Sequence, residues 1–425
     1  MKKAIEVNVI LVLLLYMVIY NPPIFTINCI RVLMFPCWLY LFINRKGMNK
    51  YINLRKVITA EILIGLLLTY GITIAIINNN PPTNFTHLFY WFAGDIPFAL
   101  SVWIYLKKRN QGFRELILHI VIAGVIMAIT SVAALVSPSI KTVFTQKMLD
   151  YGVQYAERLS VYRNYGFAAN LTSFASMLQS VICITCVFKA VRGEKKYILL
   201  FPLLALSAII NTRSSILFLA FGILVIFIVT VKKGQFVYVL RFIGIGILVL
   251  GFAEMGLNII QTYNPQTLTW LTSGYGSIIS FVTGSSSNLG YFGELEHMIF
   301  DSFPSGIELI VGVGSGVMGN TGAAYGVRSD VGFINDLWRG GILYFAIILF
   351  LYLTMLKHIY HSNILDKETV SFFSLYFFII FILTNIKGSF FIHSDLTVVF
   401  WLIYTALVFN SDNHEKYKFA IGLRR

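Results

Sequence analysis

Long apolar runs separated by short polar, mostly basic, clusters fill the chain. Lys2 and Lys3 precede a run that ends near Tyr20, and Asn21-Pro22-Pro23 closes it with no small-residue cleavage site, so it reads as a retained helix. Further runs follow at about 24–43, 57–77, 87–106, 115–136, 168–191 and 197–211. The next lies between Thr212-Arg213-Ser214-Ser215 and Lys232-Lys233, and the last four at about 236–256, 332–356, 371–391 and 397–409. Crossing a hydrocarbon core takes about 20 apolar residues as helix. Only helices or closed barrels satisfy their backbone there, and these runs are not the alternating strands of a barrel. The pattern predicts an all-α polytopic membrane protein with about twelve transmembrane helices in a single integral membrane domain over 1–425.

Charge orients the runs. Arg45, Lys46, Lys50, Arg55 and Lys56 follow the second, and Lys107, Lys108, Arg109 and Arg114 the fourth. Lys189, Arg192, Lys195 and Lys196 follow the sixth. With both termini cytoplasmic, these clusters and the tail's Lys416, Lys418, Arg424 and Arg425 all fall inside, as the positive-inside bias requires. Stretches of about 137–167 and 257–331 then lie outside. Composition agrees: 57% of the 425 residues are hydrophobic and 12% charged, too little charge for a water-facing surface. The net charge of +14 is this topology's footprint. It is scattered between apolar runs, so no nucleic-acid partner is expected. Cys183 and Cys186 form a C-x-x-C inside an apolar run, with no second pair and no neighbouring histidine; they read as packing residues, and no metal site or disulfide framework follows.

IVGVGSGVMGN, Ile310–Asn320, contains the G-x-G-x-x-G spacing at Gly314, Gly316 and Gly319. That spacing binds dinucleotides only after a strand, before a helix and with an acidic residue some way on. None of this surrounds it, and the topology puts it outside the membrane. The expectation is a tight turn-rich segment near the membrane surface and no nucleotide cofactor.

A smaller set of charges lies against the bias. Arg31, Lys141, Lys147, Arg158, Arg163, Arg213, Arg328, Arg339 and Lys387 fall in outer loops or near outer helix ends. Two readings stand: local pairing, of Arg339 with Asp336 and of Arg158 with Glu157 or Asp150, or convergence on an anionic lipid headgroup, since guanidinium grips phosphate bidentately. GELEHMIFD sets Glu294, His297 and Asp301 on one helix face at i, i+3 and i+7. That face suits a general base; it also suits an amphipathic helix lying on the membrane with its polar side wet. Asp95, mid-run beside Pro97, is a candidate partner of Arg31, substrate ligand or proton carrier.

Three stretches carry a family resemblance. YRNYGFAANLTSFASM, Tyr162–Met177, resembles a segment that enters a helix in bacterial O-antigen polymerases (Wzy-type) and O-antigen ligases. IINTRSSILFLAFGIL, Ile209–Leu224, is similar to a helix start of that superfamily. IELIVGVGSGVMGN followed by GVRSDVGFINDLWRGGILYF resembles the end of its large periplasmic loop. The resemblance covers roughly residues 155–350. It implies a GT-C-type membrane glycosyltransferase that joins glycan repeat units carried on undecaprenyl pyrophosphate at the outer face of the bacterial cytoplasmic (inner) membrane. Donor and acceptor are then lipid-linked glycans, a chain-length regulator is a candidate partner, and no cofactor is needed. By residue match, Arg163, Arg213 and Arg328 are candidates for gripping the pyrophosphate, where negative charge develops, and Asp330 for binding sugar or orienting an arginine. His297 or Glu294 is the candidate base. A ligase sharing the motifs, or a flippase of the same lipid-linked sugar, are the alternatives.

Overall fold

The computed structural model describes residues 7–24, 28–154, 156–169, 173–231, 236–282, 291–318, 325–390 and 395–410. Lys2, Lys3, the basic tail after Asn410, Asn170 and Gly319 lie outside the described residues. Among those described there is no strand, only an isolated bridge between Ile52 and Asn410. The architecture is all-α, as in an integral membrane protein. Helices Leu54–Ile77, Pro82–Lys108, Phe113–Val136, Phe174–Val191, Gly332–Tyr360 and Lys367–Ile386 are long and apolar enough to cross a membrane. Val9–Tyr20, Cys29–Ile43, Ser214–Thr230 and Leu396–Phe409 are shorter apolar helices.

Each predicted run falls on a helix, with instructive differences. The run at 197–211 is a 3-10 turn, Lys195–Leu200, followed directly by a nine-residue helix, Phe201–Ile209. The run expected to end at Gly256 continues to Tyr263. It stops where Asn264 precedes Pro265, because a residue before proline is pushed out of the α region. Pro97 does not break its helix: a π turn, Trp91–Asp95, widens the chain just before it, and proline then sits in the first turn of Ile96–Lys108, where its missing N–H costs nothing. The stretches 137–167 and 257–331 are also largely helical, holding Pro138–Asp150 and Ala156–Ser160 in the first and Pro265–Val282, Tyr291–Phe300 and Gly306–Val311 in the second.

The chain forms two compact units, one of Met1–Cys29 and Arg114–Phe292, the other of Ile30–Phe113 and Gly293–Arg425. In the first, Ser173–Val191 packs against Phe201–Ile209 and Ser214–Val231. Cys183 and Cys186 on it are buried and free, as packing residues are.

In the second, Gly332–Tyr360 packs against Lys367–Lys387, Leu54–Ile77 and Gly306–Val311. This long helix is interrupted at Gly340 and Gly341, where Gly341 has φ 68°. A break inside an apolar helix strands backbone carbonyls, and each needs a partner where water is absent. Val313 N donates to Trp338 O at 2.7 Å and Gly314 N to Arg339 O at 2.9 Å, while the Tyr70 hydroxyl donates to Gly340 O at 3.0 Å. The glycine-rich segment is therefore a cap for a broken helix. Glycine is required at 314, where φ is 78° and a Cβ would stand 2.3 Å from the Ala75 Cα.

Candidate functional site

The first unit gathers two of the sequence's candidate arginines on one tryptophan. The support begins with residues 162–169, which lie across Phe113–Val136. Gly166 approaches so closely that a Cβ would meet Met127 O and Ser131 N at 2.9 Å. Phe167 N donates to Thr130 Oγ1 at 3.1 Å, and the Tyr16 hydroxyl donates to Phe167 O at 2.6 Å. Ala169 N donates to Asn21 O at 3.0 Å. Tyr165 is buried with Met148 and Ala156, the contact that joins Pro138–Asp150 to Ala156–Ser160.

Asn164, fully buried, links this segment to Pro265–Val282. Its Nδ2 donates to Thr267 Oγ1 at 3.2 Å, and Thr267 Oγ1 donates to Tyr162 O at 2.7 Å. Asn264 caps the same helix, its Oδ1 accepting from Thr267 N at 3.1 Å, with proline at the first position. One turn on from Thr267, on the same face, Trp270 lies against a cluster of Leu135, Ile210, Ile260 and Leu271.

Over this indole stand both guanidinium groups, the Arg213 Cζ at 4.7 Å and the Arg163 Cζ at 5.5 Å from the ring centre. Arg163 Nη1 donates to the Tyr165 hydroxyl at 2.8 Å, and Arg213 Nη2 to Ser273 Oγ at 2.8 Å. Among the described residues Arg213 pairs with no carboxylate, and its buried Nε makes no hydrogen bond. Burial, and after it the charge of Arg163, push the Arg213 pKa down; a bound anion would act against both.

The other candidates belong to the second unit. Arg328 is exposed and Asp330 half-buried, and among the described residues neither forms an ion pair. Their segment is tied to Tyr291–Phe300: Ser302 Oγ donates to Arg328 O at 3.0 Å, and Ser329 Oγ to Met298 O at 2.7 Å. On that helix Glu294 is exposed, and His297 Nδ1 lies 2.8 Å from Asp301 Oδ2, also exposed. Part of the helix's apolar side is covered, while Phe300 is exposed. Leu295, Met298 and Ile299 pack on Val313, Val317, Val331, Ile334 and Trp338.

Local pairing holds for Arg339. Arg339 Nη1 donates to Asp336 Oδ1 at 2.8 Å, and the Ser389 hydroxyl donates to the same carboxylate at 3.1 Å. Asp336 is completely buried and Arg339 7% exposed. Asp150 lies 3.9 Å from Lys147, and Arg158 forms no ion pair among the described residues. Arg31 stands 5.1 Å over the Tyr90 ring, and Asp95 is buried in the π turn. No group of three His, Cys, Asp or Glu among the described residues could hold a metal.

Trp270, Tyr165 and Ser273 escaped the reading of the sequence. The available signal was an aromatic residue one turn after an Asn-Pro helix start in an otherwise polar stretch; its two cationic neighbours come from distant positions. Comparison with protein-family models, with curated proteins and with solved structures finds no match to this chain.

Proposed function

We propose that the chain is a bacterial membrane glycosyltransferase of the GT-C type, an O-antigen or repeat-unit polymerase. It has about twelve spans, both termini in the cytoplasm, and its site at the outer face of the inner membrane. A hydroxyl of one lipid-linked repeat attacks the anomeric carbon of a chain on undecaprenyl pyrophosphate. The bond from that carbon to the pyrophosphate oxygen breaks, the hydroxyl proton passes to a base, and undecaprenyl pyrophosphate leaves. Sugar donor and acceptor both arrive on lipid, so no nucleotide cofactor takes part, and a chain-length regulator is the natural protein partner.

The observation that carries this reading is the pair Arg163 and Arg213 on Trp270, two cations on one ring with Arg213 lacking any carboxylate among the described residues. Fixed guanidinium groups stabilise most where negative charge develops, here on the leaving pyrophosphate. Arg328, in the second unit, exposed and outside any ion pair among the described residues, is by the resemblance a further candidate for pyrophosphate, and Asp330, two residues on, for sugar hydroxyls. His297, oriented by Asp301, is the candidate base, with Glu294 one turn before it on the same face.

The test is a gel of surface polysaccharide from cells lacking the gene, complemented with wild type, Arg213→Ala or Arg328→Ala. The reading expects deletion to leave core bearing one repeat unit, wild type to restore a ladder, and the variants to fail. Bare core with lipid-linked polymer accumulating would make the protein a ligase. Bare core with single lipid-linked units held in the cytoplasmic leaflet would make it a flippase.

A further inference from the structure

We infer that Trp270 is a positioning residue, the platform that holds Arg163 and Arg213 side by side so that one phosphate-bearing ligand can engage both. The inference rests on the anion-site reading above and adds a residue and a role to it. Arg163 comes from an irregular segment and Arg213 from the turn before Ser214–Val231. Neither backbone is held there by a helix, and the two charges repel. A guanidinium within about 6 Å of an indole centre is drawn to the ring's negative face. Trp270 supplies that attraction to both groups at 5.5 and 4.7 Å.

The ring itself is fixed. It lies on Leu135, Ile210, Ile260 and Leu271, and its helix is pinned by the Asn264 cap and by the Asn164–Thr267–Tyr162 chain of hydrogen bonds. One end of each guanidinium is likewise tethered, to the Tyr165 hydroxyl and to Ser273 Oγ. Removing the indole removes the attraction and leaves the repulsion, so the two cations part and the ligand loses one of them.

The experiment is calorimetric titration of the full-length protein in detergent with inorganic pyrophosphate, for wild type, Trp270→Phe, Trp270→Leu, Trp270→Met and Arg213→Ala. Trp270→Leu and Trp270→Met are expected to weaken binding about tenfold and Trp270→Phe about threefold or less, the scale of cation–π contacts on a partly desolvated ring. Side-chain volume falls in the same order, so unfolding temperature is recorded beside affinity: a mere packing role makes the two fall together across the series, whereas the platform predicts that Trp270→Phe keeps most of the affinity while losing stability much as Trp270→Met does. Two aliphatic variants are included so that one remains if the other fails to fold. Wild-type affinity in Trp270→Met, with binding lost in Arg213→Ala, would overturn the platform and leave the anion site standing. No binding by wild type would overturn both.

Discussion

Two arginine pairings, one in each compact unit, show what a cation is doing by what stands opposite it. In the second unit Arg339 is nearly buried and meets Asp336, which Ser389 also satisfies. In the first unit, Arg213 and Arg163 share an indole, and among the described residues Arg213 pairs with no carboxylate. Taking a charge out of water costs several kcal/mol unless it is paired and hydrogen-bonded. The Arg339–Asp336 arrangement is complete without a ligand, and the Arg213–Arg163 arrangement is where we propose that one binds. The difference separates a structural ion pair from a candidate binding site, although both arginines look alike in the sequence.

The largest effect should come from breaking the complete pair. Asp336→Ala leaves Arg339 buried and alone and is expected to cost about 3–5 kcal/mol, read as thermal unfolding in detergent. The double substitution Asp336→Leu with Arg339→Met removes both charges and should recover much of that loss. Next, Gly314→Val forces a β-branched residue into the left-handed region against Leu54–Ile77, and should cost about 2–4 kcal/mol by uncapping the break at Gly340 and Gly341.

A partly exposed site gives a smaller effect, with a pH signature. Burial works against ionised Glu194, but its hydrogen bond and charge contact with Lys189, and then Arg114, outweigh it and hold its pKa below the ordinary value. A depressed carboxylate contributes stability above its unfolded pKa and loses it as pH falls through the folded one. Glu194→Gln should therefore cost about 0.5–1 kcal/mol near pH 7, and wild type and variant should converge in unfolding scans taken below the carboxylate range. The smallest stability effect belongs to Arg213→Ala, within about 0.5 kcal/mol without ligand, although it should abolish the polysaccharide ladder.

Hydropathy made the helices legible because lipid leaves the backbone few choices. Helix ends were less so. Glu254, Asn258 and Gln261 lower hydropathy without stopping a helix, and the stop at Asn264-Pro265 is local chemistry that a polarity change hides. The glycine segment could be excluded as a dinucleotide site from its context, yet its partners, the carbonyls of Trp338 and Arg339, exist only because a helix downstream is broken. The His297–Asp301 contact was readable from four-residue spacing. The arginine platform was not, because residues 163, 213 and 270 meet only through tertiary packing.

The most direct measurement is thermal unfolding of wild type, Arg213→Ala and Arg339→Ala side by side, with and without saturating inorganic pyrophosphate. Ligand should stabilise wild type by about 2.7 kcal/mol at a hundred times its Kd. Arg213→Ala should unfold like unliganded wild type and gain nothing from ligand, and Arg339→Ala should be strongly destabilised whether or not ligand is present. If Arg213→Ala instead unfolds as early as Arg339→Ala, or if pyrophosphate stabilises wild type and Arg213→Ala equally, the paired cations are structural and the candidate site is contradicted.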